Sequence, residues 1–156
     1  EIVLADSAYG DSSGFRAALR DHGLDYAVAI KSPTCVWLLD ANGNTERSVS
    51  VQVLGAELGK AAFRRITWRT GTKGPLNARF AAVRVRVADG PLNAEGTRLP
   101  GEELWLIGEW RDRGEKKYDL SNLPERTTLR RLVATVKARW SCEQVHQQLK
   151  QELRAV

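Results

Sequence analysis

Two stretches at opposite ends of the chain carry residue types that could do chemistry. The first is Ile2-Val-Leu-Ala-Asp6, where a carboxylate closes an apolar run. Such a run reads as a strand buried on both faces, and open α/β sheets place their sites at the carboxyl ends of parallel strands. The second is Arg139-Trp-Ser-Cys-Glu-Gln-Val-His-Gln-Gln-Leu-Lys150, which contains neither Gly nor Pro. At about 3.6 residues per turn, Arg139, Glu143, His146, Gln147 and Lys150 fall near one helix face. Taken alone, that stripe reads as a solvated face with an Arg139–Glu143 ion pair, and Asp6 reads as a helix-cap or turn aspartate. Taken together, Asp6 and Glu143 form an acid-only pair. Hard oxygen donors suit Mg²⁺ or Mn²⁺, and two such ions roughly 4 Å apart can activate water and stabilise the leaving oxygen of a phosphodiester. Arg139 and Lys150 are then placed to hold the phosphates of the strand being cut.

The elements that must position these residues follow from the pattern between them. Asp11-Ser-Ser-Gly offers helix N-caps, Phe15, Ala18 and Leu19 follow at helical spacing, and Gly23 is a natural stop. Tyr26-Ala-Val-Ala-Ile30 is a second apolar strand, so residues 1–34 read as a β-α-β unit with a parallel strand pair. After Lys31-Ser-Pro the texture changes. Cys35-Val-Trp-Leu-Leu is apolar, Ala41-Asn-Gly-Asn is a turn, and Ser48-Val-Ser-Val-Gln-Val alternates as a half-buried strand does. A short helix is expected from Ala56 to Phe63. Strands are expected over Arg64–Arg69, Phe80–Val87, Glu103–Trp110 and from Lys117. Residues 35–122 therefore read as an antiparallel β-rich block. Beyond Pro124, Thr127 or Thr128 can cap a helix to about Ala138 with Leu129, Leu132, Val133 and Val136 buried. Ser141 can cap a separate last helix, with Gln144 completing a capping box.

Composition bounds the reading. At 156 residues the chain suits one domain, or one core with an inserted subdomain. No run approaches about 18 apolar residues, so nothing here spans a membrane, and the first residues lack the basic and apolar regions of a signal peptide. Cys35 and Cys142 form no CxxC pattern, which suits a reducing compartment and does not indicate a zinc site. The absence of Met, even at position 1, reads as a processed chain or a piece of a longer one. Net charge is +5, and its distribution matters more than its size. From Phe63 to Arg86 stand Arg64, Arg65, Arg69, Lys73, Arg79, Arg84 and Arg86 with no acid, and Arg126 to Cys142 is similarly acid-free. Local blocks of this kind point to a polyanion. His146 reads as part of a solvated helix face and His22 as a residue favoured by a helix C-terminus. Ser7, Ser12 and Ser13 lack a His partner in sequence context, so no serine nucleophile is expected.

Several motifs carry a resemblance. Val3-Leu-Ala-Asp-Ser-Ala-Tyr-Gly10 resembles the second-aspartate motif of the DDE transposases of bacterial insertion sequences. Arg139-x3-Glu143-x6-Lys150 resembles their terminal Y-x2-R-x3-E-x6-K signature. Ile66-Thr-Trp-Arg-x-Gly-Thr-Lys-Gly74, Arg84-Val-Arg86 and Lys117-Tyr-x-Leu-Ser-Asn-Leu-Pro124 resemble the subgroup known as DDE superfamily endonucleases. The resemblance covers essentially the whole chain. It implies an α/β, ribonuclease H-like core fragment interrupted by a β-rich insertion subdomain. Residues 1–34 would open the core, 35–122 would be the insertion, and 123–156 would be the helical part that carries the glutamate.

It further implies metal-dependent cleavage and transfer of double-stranded DNA, at transposon ends and target, with Mg²⁺ or Mn²⁺ as cofactor. Asp6 would be the second metal-binding aspartate and Glu143 the third acid, while Arg139 and Lys150 would contact DNA. In relatives a Trp of the insertion helps hold a flipped base, and Trp68, beside Arg69 and Lys73 in the most basic stretch, is the candidate here. Trp105 and Trp110 read as core. A cytoplasmic, nucleoid-associated location and a homodimer of the full-length parent are compatible with the resemblance.

There are three departures. Val136 occupies the signature's Tyr position, the strand bearing the first aspartate would lie upstream of this sequence, and the segment usual after the glutamate helix is not found. The expectation is therefore a part of a transposase that is inactive alone. The alternative is a non-catalytic DNA-binding module derived from one.

Overall fold

The computed structural model describes residues 2–154 apart from Lys73, and the side chains of residues 70, 71 and 139–150 also lie outside the description. Strand β1 (Ile2–Ala5) leads into two helices, α1 (Ser7–Gly10) and α2 (Ser13–Asp21), and strand β2 (Asp25–Ile30) returns beside it. The caps expected from the sequence form: Ser12 Oγ accepts from Phe15 N at 3.2 Å, and Gly23 turns the chain out of α2 at a φ of 67° that side chains disfavour. β1 and β2 pair in parallel, with Leu4 opposite Ala27 and Ala5 opposite Val28, so the β-α-β unit is present.

One expectation for β1 fails. All four of its residues are half-buried, whereas a strand buried on both faces was expected. The reason is position. β1 lies at the end of the strand order and pairs with β2 alone among the described strands.

The next residues form β3 (Cys35–Leu39), β4 (Thr45–Ser50), α3 (Val51–Leu58), a 3-10 turn at Lys60–Ala62, β5 (Arg64–Gly71), β6 (Gly74–Val87), β7 (Glu103–Trp110) and β8 (Lys116–Ser121). Every ladder within this block is antiparallel. The alternation over Ser48–Val53 does not continue as a strand. It stops at Ser50, whose Oγ accepts from Val53 N at 3.3 Å and starts α3 five residues earlier than the sequence pattern placed a helix. A local side-chain cap competes with the ladder there and wins.

The strands make one eight-stranded sheet in the order β1-β2-β8-β7-β6-β3-β4, with β5 paired to β6. β8 runs antiparallel to β2, placing Asp119 opposite Ala29. Hydrogen bonding therefore passes without a break from the parallel pair into the β-rich block. Because successive side chains point to opposite faces, each strand feeds two cores. On one face Tyr26, Val28, Val85, Leu104 and Leu120 pack against Leu19 of α2 and Val51 and Leu54 of α3. On the other, Phe80 and Ile107 pack against Leu132, Val133 and Val136 of a final helix, α4 (Leu129–Arg154). Burying each such α4 side chain contributes roughly 1.5–3 kcal/mol, which fixes the helix to this face.

Thr128 caps α4, its Oγ1 accepting from Arg131 N at 3.2 Å. The second cap expected at Ser141 does not occur, since α4 is continuous for 26 residues. No Gly or Pro interrupts Leu129–Arg154, and a Ser alone costs a helix too little to end it. Among the described residues no helix is long and apolar enough to cross a membrane.

Candidate functional site

Strand alternation decides which acids share the α4 face. Val3 and Ala5 pack with the α2/α3 core and Ile2 with the α4 core. Asp6 follows in extended backbone (φ −79°, ψ −179°), so it continues on the α4 side. Tyr118 and Leu120 belong to the α2/α3 core, so Asp119 between them also faces α4. The registers Ala5–Val28 and Ala29–Asp119 then set Asp6, Ala29 and Asp119 in one row across β1, β2 and β8. Ala29, the smallest side chain of that row, separates the two acids by two strand spacings, about 10 Å between backbones.

Asp6 does two things at once. Its Oδ1 accepts from Ala8 N at 3.0 Å, so it caps α1, and among the described residues its other oxygen has no protein donor. It lines a cleft of about 380 Å³ at the carboxyl end of the parallel pair, together with Ala29, Lys117 and Asp119. α1 is pressed against β2 behind it. A Cβ on Gly10 would lie 1.9 Å from Ala29 O, so only Gly permits this approach. Asp119 is 3% exposed. Carboxylate oxygens of this kind fit a hard divalent cation, although the described residues bring no three acidic, His or Cys side chains together. Glu143, Arg139, Lys150 and His146 lie on α4, and their side chains are outside the described residues.

A second polar cluster on the same face escaped sequence reasoning. Glu109 of β7 is 4% exposed, and Lys137 Nζ of α4 reaches its two oxygens at 2.9 and 2.6 Å. Arg111 Nε donates to the same carboxylate at 2.9 Å. Burial pushes the Glu109 carboxyl up, but the hydrogen bonds and charges of Lys137 and Arg111 outweigh it and hold the group below the usual carboxylate range. The Lys137 ammonium also lies 4.4 Å from the centre of the Trp68 ring, and that ring meets Phe80 edge-on at 5.8 Å. Trp68 is half-buried and, with Arg111 and Arg113, lines a cleft of about 460 Å³. Glu109 and Asp119 were legible only as polar positions in strands, because which face α4 covers was not. A Glu inside the apolar run Leu104–Trp110 was the one available signal.

The basic block is less cationic in three dimensions than along the chain. β7 and the turn after it supply acids to it: Arg65 pairs with Asp112 at 3.2 Å and Arg84 with Glu103 at 2.7 Å. Arg84 also lies over Trp105, 5.1 Å from its centre, and Arg86 donates to Gly101 O at 2.6 Å. Arg64 and Arg79 make no side-chain ion pair among the described residues. Arg69 is exposed on β5, and Lys73 lies outside the described residues. Trp105 and Trp110, read as core, are half-buried, and the Trp105 indole donates to Pro124 O at 3.0 Å.

No curated protein matches the chain. The family model described as "Transposase DDE domain" matches residues 1–155, and the chain belongs to that family.

Proposed function

We propose that this segment supplies two of the acids with which its parent transposase binds Mg²⁺ or Mn²⁺ and cleaves DNA. Membership in the transposase DDE family gives the coarse activity, transposition-related DNA cleavage, and a DNA substrate. The finer assignment is that Asp6 is the second metal-binding acid and Glu143 the third. One observation carries it. Asp6 ends β1 on the α4 face of the sheet, and Glu143 comes seven residues after the buried Val136 on the uninterrupted α4. Seven residues are two helical turns, so the Glu143 backbone returns to the azimuth that packs on the sheet. When bound, the cation would lower the pKa of a water and neutralise charge at the phosphodiester.

The chain's own residues divide the remaining work. Asp6 holds its carboxylate rigid through the Ala8 N–H and offers the other oxygen to the cleft. Lys117, exposed at the same cleft, is placed for a DNA phosphate, and Arg139 and Lys150 are assigned the phosphates near the cleaved end. The first acid of the triad is assigned to a strand outside this sequence, and the open side of β1 is where such a strand would pair. Residues 1–34 and 123–156 are assigned to a ribonuclease H-like core and 35–122 to an insertion that contacts DNA. Trp68, Arg69 and Lys73 are its candidate contacts. The cleft beside Trp68 supports a base-holding role for that ring.

In the full-length parent, Asp6→Ala and Glu143→Ala should each abolish cleavage while leaving DNA binding intact. Cleavage retained by either variant overturns the assignment of that residue. A non-catalytic DNA-binding role is favoured instead if salt-sensitive DNA binding persists and no divalent cation restores cleavage to the intact protein.

A further inference from the structure

The geometry points to the Glu109–Lys137 ion pair as a positioning device that sets the rotation of α4 about its axis, and so the place of Glu143. This rests on the proposed role of Glu143. The apolar contacts of Leu132, Val133 and Val136 hold α4 against the sheet, but they are non-directional and tolerate rotation and sliding. The Lys137 ammonium is directional. It reaches both oxygens of Glu109 on β7 at 2.6 and 2.9 Å, lies 4.4 Å from the Trp68 ring centre on β5 and 5.9 Å from that of Phe80 on β6. Three neighbouring strands thus triangulate one helical residue. Its side chain is 15% exposed and that of Glu109 is 6% exposed, so water cannot readily replace either partner. Buried ion pairs are costly as glue, and in some proteins a buried polar group selects one register among near-equal ones.

Glu143 follows Lys137 by six residues on the same unbroken helix, about 9 Å further along the axis. A rotation of about 20° would displace a carboxylate at the helix surface by on the order of 2 Å. Misplacement of about 1 Å can reduce a rate up to a hundredfold. Glu109 and Lys137 do not line the Asp6 cleft, although Lys137 packs on Trp68 and Glu109 is paired in the β7–β8 ladder with Lys117, so it is an effect on the cleavage rate at unchanged DNA affinity that points to α4.

The test uses the full-length protein and a supercoiled plasmid carrying the element that encodes it. Glu109→Gln keeps the size and removes the charge. Lys137→Met keeps the stem under Trp68 and removes the ammonium. Each should lower the single-turnover cleavage rate in Mn²⁺ by about tenfold to a hundredfold, with DNA affinity within about twofold of wild type. Hydrogen exchange should quicken along α4 but not in β2 or β8. Exchanging the charges, Glu109→Lys with Lys137→Glu, should recover part of the rate, because it re-forms the ion pair between β7 and α4 while losing the cation over Trp68. Wild-type cleavage by both single variants overturns the inference. So does a loss confined to DNA affinity, a charge exchange that recovers nothing, or global unfolding of both variants, which would assign the pair to the fold itself. Glu143→Ala is run alongside. If it still cleaves, the proposed site fails. If it is dead while Glu109→Gln cleaves normally, only the positioning role fails.

Discussion

The two faces of one sheet carry opposite chemistry. Toward α2 and α3 the strands send Tyr26, Val28, Val85, Leu104 and Leu120, an apolar layer with every large side chain fully enclosed. Toward α4 the same strands send Asp6, Asp119, Glu109 and Ser121 beside a smaller apolar patch. Burying carboxylates is expensive, and a protein selected for stability alone would not bury two of them, Asp119 and Glu109, on one face of the sheet. On the proposed assignment of Asp6 and Glu143, the α2/α3 face would hold the fold and the α4 face the chemistry.

The sharpest way to break the comparison is to exchange the expected consequences. Asp6→Ala on the α4 face should remove several kcal/mol of charge stabilisation, a loss of about 10³-fold or more in cleavage, with a stability cost limited to the lost α1 cap, about 0.5–2 kcal/mol. Leu104→Ala on the other face should cost about 2–5 kcal/mol of stability, measured by denaturant titration, with normal cleavage per folded molecule. If Asp6→Ala cleaves, or Leu104→Ala loses cleavage while folded, the division of labour between faces is wrong. Asp119→Asn stands between them. It should weaken Mn²⁺ binding measured by titration calorimetry, because its carboxylate shares the row and cleft of Asp6.

The pH dependence of stability sharpens the contrast further. Glu109 has its folded carboxyl held below the usual range, despite the opposing pull of burial. A carboxyl depressed on folding contributes stability that is present above its unfolded pKa, about 4.3, and lost as pH falls through the lower folded value. Wild type should therefore exceed Glu109→Gln by about 1.5–3 kcal/mol near pH 7, the worth of hydrogen bonds to a charged group, and the gap should begin to narrow at pH ~4 and close only below the depressed folded value. A gap that persists unchanged in acid would assign the effect to packing. Thermal unfolding across that range decides it.

How much of this was legible along the chain differs between the same two faces. The β-α-β start, the strand Glu103–Trp110 and the apolar stripe of α4 follow from periodicity, because short-range spacing sets them. Asp6 stood out because it ends an apolar strand. Glu109 and Asp119 did not, since a lone acid in a strand is ordinary until a helix from elsewhere covers it. The edge position of β1 depends on sheet order, and the failed cap at Ser141 on the continuity of a helix whose neighbours all favour it. The pairing of two arginines of the basic block was not legible for a related reason. Asp112 and Glu103, which pair with Arg65 and Arg84, come from β7 or the turn after it.

That last point gives the smallest and most discriminating prediction, because it separates arginines that sequence alone treats alike. Arg84 is held by Glu103 through two nitrogens and lies over Trp105, so binding a phosphate would require breaking existing contacts. Arg64 and Arg79 carry no ion pair among the described residues and are free to meet a phosphate. Each phosphate contact contributes close to 0.9 to the slope of log affinity against log salt for duplex DNA. Arg64→Gln and Arg79→Gln should each lower that slope by about 0.9, whereas Arg84→Gln should leave it nearly unchanged. Fluorescence anisotropy with duplex DNA across a salt series reads all three. Equal losses from the three variants would mean that DNA opens the Arg84–Glu103 pair, and that the acids borrowed from β7 do not set which cations face the substrate.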